Sequence, residues 1–105
     1  MKFGLSDQAL HAIRDVLVHH PGVEEAVIFG SRSLERQHAN SDVDIALRGE
    51  VPALEVEGIA LELDELPLPF HFDVFAVASI HHRGLSEHIA RAGQALYRKA
   101  ASRNE

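Results

Sequence analysis

The chain has no cysteine and no tryptophan, and only one methionine and one tyrosine. Without thiols it cannot form disulfides, run thiolate chemistry or hold zinc through sulfur, and nothing in it calls for an oxidising compartment. It lacks any apolar run near the ~20 residues of a membrane helix, and its first residues lack the apolar core of a signal peptide. A cytoplasmic location with no membrane partner is the expectation. Positive charge is also scarce: ten Lys and Arg stand against sixteen Asp and Glu, for a net charge of −6. A surface of that sign repels polynucleotide backbones, which argues against template-dependent nucleic-acid work.

What is present is an ordinary globular composition, 46% hydrophobic and 25% charged over 105 residues. That length fits one domain over residues 1–105, which would bury roughly two-thirds of its unfolded surface in one core.

Leu5, Ala9, Ile13, Val16 and Leu17 recur at helical spacing, with Ser6 as a cap and Pro21-Gly22 as a stop. Residues 25–30 form a short apolar run ending in glycine, and Val43, Ile45 and Leu47 alternate with Asp42, Asp44 and Ala46. Both read as strands, joined by a polar connection from Ser31 to Ser41. Pro52 opens a helix weakened by Gly58, and Pro67 with Pro69 closes that region. Phe70 to Val77 is rich in aromatic and β-branched residues and reads as a third strand. From Ile80 to about Lys99, Leu85, Ile89, Ala92 and Leu96 fall at helical intervals and predict a helix, with Gly84 and Gly93 as points of weakness. The expected fold class is α/β: a small mixed sheet flanked by helices, with acids at one end of neighbouring strands.

The segment that carries chemistry is Gly30-Ser31-Arg32 followed by Asp42-Val43-Asp44. In a strand, positions i and i+2 share a face, so Asp42 and Asp44 would stand side by side while Val43 and Ile45 pack on the other side. Paired carboxylates repel unless a cation sits between them, and hard oxygen ligands suit Mg²⁺ or Mn²⁺. Asp73 lies on an otherwise apolar strand, where a carboxylate needs a partner. If that strand lies beside the Asp42/Asp44 strand, three carboxylates converge, enough for two metal ions serving displacement at phosphorus. Gly30 would let the backbone approach a phosphate closely, Ser31 and the following amides could donate hydrogen bonds to it, and Arg32 could neutralise its charge. His71 shares a strand face with Asp73, where it could orient that acid, contact substrate or simply pack as a hydrogen-bonded histidine, while the adjacent pairs His19-His20 and His81-His82 do not match a zinc motif and read as surface or capping residues. Tyr97 falls on the apolar helical stripe, and Arg91, Arg98, Lys99 and Arg103 make a weakly basic end suited to a helix C-terminus.

The string GSRSLERQHANSDVDIAL resembles the GSx10DxD signature of minimal nucleotidyltransferases of the DNA polymerase β-like superfamily. PLPFHFDVF resembles that family's third-carboxylate strand and LSEHIARAGQALY its C-terminal helix, so the likeness runs from about Leu5 to Tyr97. By pattern the chain is similar to the MntA-type antitoxins paired with HEPN-domain toxins. The resemblance implies that Asp42, Asp44 and Asp73 bind the metal ions and carry catalysis, with Asp73 activating the acceptor hydroxyl. It also implies that Gly30 and Ser31 bind the triphosphate of a nucleoside triphosphate, ATP being the expected one. One departure is Ser33-Leu34-Glu35-Arg36, where Glu35 stands about where family members commonly place glycine.

The activity so implied is AMP transfer from ATP to a hydroxyl, a tyrosine of a partner HEPN toxin. Two alternatives stay open at the level of sequence: an antitoxin that acts by binding alone, and a small-molecule nucleotidyltransferase completed by a helical partner chain. Nothing in the sequence fixes an oligomeric state.

Overall fold

The computed structural model describes residues 5–29, 42–69, 71–80 and 83–99. The first helix, α1, runs Asp7–Val18. The Ser6 hydroxyl accepts a hydrogen bond from the Ala9 N–H at 3.1 Å, which satisfies one of the amides a helix start leaves unpaired. Ala9, Leu10, Ile13 and Leu17 form its buried stripe. At its end the N–H groups of His19 and His20 bond back to Val16 and Leu17, and the Val23 N–H bonds to His20 as the chain turns into the sheet.

Four strands follow: β1 (Val23–Phe29), β2 (Val43–Gly49), β3 (Phe72–Ala76) and β4 (Gln94–Arg98). Two more helices, α2 (Ala53–Asp64) and α3 (Arg83–Ala92), connect them. The strand order is β3-β2-β1-β4. β1 is antiparallel to both β2 and β4, whereas β2 and β3 are parallel, so the sheet is mixed as the sequence pattern predicts. Parallel neighbours need a crossover, and α2 supplies it between β2 and β3. Gly58 does not interrupt α2: its position opens into free space and the helix passes through it.

Strand alternation sorts the side chains onto two faces. One face presents Ala26, Ile28, Val43, Ile45, Leu47, Phe72 and Leu96 to α1 and α2, where they join Leu5, Ile13, Leu17, Ile59 and Leu63 in the main core. The other presents Val27, Phe29 and Ala46 to Ile89 of α3. Each fully buried Leu or Ile here contributes ~1.5–3 kcal/mol of transfer free energy.

Three expectations are corrected. The apolar spacing from Leu85 to Leu96 predicts one long helix, but α3 stops at Ala92 and residues 94–98 form β4. A side chain at Gly93 would strike both Val27 of β1 and the Ile89 carbonyl, so the helix ends in close backbone contact with the sheet. Tyr97 therefore lies on a strand, half-buried against the main core, opposite Ala26. Its neighbour Leu96 is the extra residue of a β-bulge, because Ala26 and Val27 pair with Tyr97 and Ala95. Leu96 is buried, and Arg14 Nε of α1 donates to its carbonyl at 2.8 Å, which ties α1 to the bulge. Of the basic end, Arg91 stands in the last turn of α3 as expected, whereas Arg98 joins Arg48 in binding Glu25 across three strands and Lys99 Nζ donates to the Pro21 carbonyl. The third strand is shorter than predicted, since Val77–Ser79 turns into a 3-10 helix. His81, His82 and Arg103 lie outside the described residues.

Where β2 ends, Gly49 has φ +117 and sits against the Gly22 carbonyl and the Glu24 amide, leaving no space for a Cβ. Gly49→Ala is expected to cost ~1–3 kcal/mol, read by denaturant unfolding, because the backbone would be strained and the β1–β2 end displaced.

His20 fastens the end of α1 to α2: its Nδ1 lies 2.9 Å from Glu55 Oε2 and its Nε2 lies 3.1 Å from Glu62 Oε2. Burial pulls the His20 pKa down, but the hydrogen bonds and charges of Glu55 and Glu62 outweigh it, and the net shift is upward from 6.5. The contribution of this clasp is therefore full below the unfolded value and fades as pH rises through the higher folded value. His20→Asn should accordingly destabilise the protein more at pH 6 than at pH 8.5 in parallel urea melts.

Candidate active site

β2 and β3 run parallel with Asp44 directly beside Asp73, and β1 places Phe29 on the other side of Asp44. A row of Phe29, Asp44 and Asp73 thus crosses three strands on the face that carries α3. The next row is Val27, Ala46 and Phe75. Aromatic packing fixes the floor around the acids: the Phe29 ring lies 5.8 Å from Phe75 and 6.3 Å from the His88 imidazole of α3. Val43 and Ile45, which alternate with the acids along β2, are fully buried in the main core and anchor the strand. Asp44 and Asp73 are half-buried, and Asp42 stands exposed one residue before β2.

This arrangement crowds negative charge. Burial, the charges of Asp73 and Asp42, and a hydrogen bond to the Asp73 carboxyl all raise the Asp44 pKa above its ordinary 3.8. Among the described residues no Lys or Arg pairs with Asp42, Asp44 or Asp73; the contact on Asp73 is His71, whose Nε2 lies 3.4 Å from Oδ1. The other nitrogen of His71 lies 3.6 Å from Asp64 Oδ1, the atom that also accepts the Phe72 N–H at 3.2 Å. Asp64, the last residue of α2, therefore holds the start of β3, and with it the segment bearing Asp73. Sequence periodicity does not single out Asp64; the one local signal is a carboxylate at a helix end just ahead of a proline-rich turn.

Among the described residues no three His, Asp or Glu side chains are gathered into a set that could hold a metal ion as they stand. Asp44 and Asp73 nevertheless offer hard oxygen donors crowded against each other with no Lys or Arg among the described residues to pair with them, which fits Mg²⁺ or Mn²⁺ and not a soft metal. Gly30, Ser31 and Arg32, expected to bind the triphosphate, and Glu35 lie outside the described residues. They follow directly on Phe29, the residue beside Asp44.

The family model for polymerase β nucleotidyltransferases matches residues 11–102, nearly the whole chain and both acid-bearing strands. The chain belongs to that nucleotidyltransferase family. No curated protein sequence matches it. Among solved structures, the nucleotidyltransferase domain is similar to a toxin–antitoxin crystal structure with AMP-PNP, with a TM-score of 0.72 and 23% identity over 87% of this chain and 74% of that one. It is also similar to a chain in a complex of tri-AMPylated HEPN toxin with MNT antitoxin from Shewanella oneidensis, with a TM-score of 0.69 and 18% identity over 90% of this chain and 74% of that one. A third similar structure is a MntA–HepT toxin–antitoxin complex, with a TM-score of 0.68 and 18% identity over 90% of this chain and 74% of that one. At these identities the likeness is one of fold. No helix among the described residues is long and apolar enough to cross a membrane.

The acid row should cost stability in the metal-free protein. Because the folded Asp44 pKa is raised above 3.8, the ionised carboxylate weakens the fold progressively as pH climbs past that value. Asp44→Asn is expected to melt a few degrees higher than the parent at pH 7 in the presence of a chelator, with the difference vanishing near pH 3.5. Equal melting temperatures at pH 7 would mean that the acids do not strain one another.

Proposed function

We propose that this domain transfers AMP from ATP to a hydroxyl of a separate protein, a tyrosine of a HEPN-type toxin, and so acts as that toxin's antitoxin. The observation that carries the reading is the register of Asp44 beside Asp73 in a chain of the nucleotidyltransferase family. The structures similar in fold, one with AMP-PNP and one with an AMPylated HEPN toxin, support the choice of nucleotide and partner.

In this reading Asp42, Asp44 and Asp73 hold two divalent cations, Mg²⁺ or Mn²⁺. Bound there, the ions supply charge stabilisation for the attacking and leaving oxygens. Gly30 and Ser31, which follow Phe29 in the chain, bind the triphosphate, and Arg32 offsets its charge. The acceptor oxygen forms a bond to the α-phosphorus, the bond to pyrophosphate breaks, and Asp73 takes the hydroxyl proton. The raised pKa of Asp44 fits a site arranged for positive charge that the described residues do not supply.

Intact mass spectrometry of the partner after incubation with ATP and Mg²⁺ tests this. Each transfer should add one adenylyl group and release pyrophosphate. Asp44→Asn or Asp73→Asn should lower the rate by at least ~100-fold while leaving the fold intact by circular dichroism. Undiminished transfer in both variants would remove the acids from the chemistry; tight association with no mass gain would favour an antitoxin that works by binding.

A further inference from the structure

β3 is the outer strand of the sheet, and among the described residues no strand pairs with its far side. In a parallel pair alternate residues turn their N–H and C=O groups outward. Because the Val43 N–H bonds to the His71 carbonyl, the outward set on β3 is Phe72, Val74 and Ala76. The Phe72 N–H is already taken by Asp64 and the Ala76 carbonyl caps the 3-10 helix Val77–Ser79, which leaves the N–H groups of Val74 and Ala76 and the Val74 carbonyl at the edge. Beside it lies a recess of about 230 Å³, lined by residues 74–76 of β3, Ala53, Val56 and Glu57 of α2, and Ser79 and Ile80. Phe75, whose side chain turns to the acid face, is exposed at 37%.

We infer that this edge binds the acceptor: an extended segment of the partner adds as a fifth strand along β3, with its hydroxyl-bearing residue beside Asp73 and an adjacent apolar residue in the recess. The inference rests on the proposed transfer reaction and says where its protein substrate sits. The geometry follows from strand alternation. The row Phe29, Asp44, Asp73 continues onto any strand paired with β3, so one residue of that strand stands next to Asp73 on the acid face. Its chain neighbour must point to the other face, where Val74 and the recess lie. Backbone pairing at Val74 and Ala76 supplies affinity that does not depend on sequence, while the recess and the acid row supply selectivity. With Glu57 lining the recess, the segment that fits carries Lys or Arg and no carboxylate beside it.

The probe is a nine-residue peptide of alternating valine and lysine with tyrosine at its centre, offered to the full chain with ATP and Mg²⁺. Amide exchange at Val74 and Ala76 should slow about tenfold with saturating peptide, and should not slow with the same peptide methylated on alternate backbone nitrogens. Ala53→Trp, at an exposed position, fills the recess; it should raise the peptide KM for AMP transfer about tenfold with AMP-PNP affinity and kcat unchanged. Transfer to the peptide without protection of Val74 and Ala76, or an unaltered KM in Ala53→Trp, overturns edge docking. So does failure of millimolar peptide to protect those amides. Protection of the edge in a chain that binds no AMP-PNP would instead overturn the transfer reaction and leave the docking edge standing.

Discussion

Two carboxylates on adjacent parallel strands repel, and the fold holds them together against that repulsion. Asp44 and Asp73 are in direct register, half-buried, and among the described residues have no Lys or Arg beside them. They stay in place because the residues alternating with them are among the most buried in the molecule: Val43 and Ile45 are fully inaccessible, and Phe72 is nearly so. The apolar burial on one face of β2 and β3 outweighs the crowding of charge on the other. The same division places the main core, with α1 and α2, behind the acids, and leaves α3 with a smaller apolar cluster around Val27, Phe29 and Ala46 on the acid face.

The supports around this pair are polar and local. Asp64 ties the end of α2 to the first residue of β3, and His71 lies between Asp64 and Asp73. His20 links α1 to α2 through two glutamates, and Arg14 links α1 to the bulge in β4. These contacts orient the helices that back the acid-bearing strands, so the position of the acids depends on side chains well removed from them in sequence.

Much of this was legible from short-range pattern. The Ser6 cap, the helix after Pro52 and the alternation of Val43, Ile45 and Leu47 with Asp42 and Asp44 are all properties of contiguous residues, and each appears where that pattern puts it. The strand around Asp73 was legible in the same way, although it ends at Ala76, one residue before the expected Val77, and Phe70 lies outside the described residues. The C-terminal segment was not. Leu85, Ile89 and Leu96 keep helical spacing whether or not the helix continues, so periodicity cannot show that Gln94–Arg98 pairs with β1. That outcome is decided by the backbone of β1, which offers a free edge, and by Val27, which leaves no room for a side chain at Gly93.

By itself, then, the sequence determined which residues form helices and strands over most of the chain, which faces are apolar, and that Asp42 and Asp44 share a strand-like alternation. Those are local matters of backbone propensity and side-chain period. Only the tertiary structure decided that β3 lies parallel to β2, that Asp73 falls beside Asp44 and not one residue away, that Asp64 and His71 attend it, and that β3 leaves an open edge next to the acids. Strand order and register depend on contacts between segments far apart in the chain, where a shift of one residue would turn Asp73 to the opposite face, and no short-range signal encodes that choice.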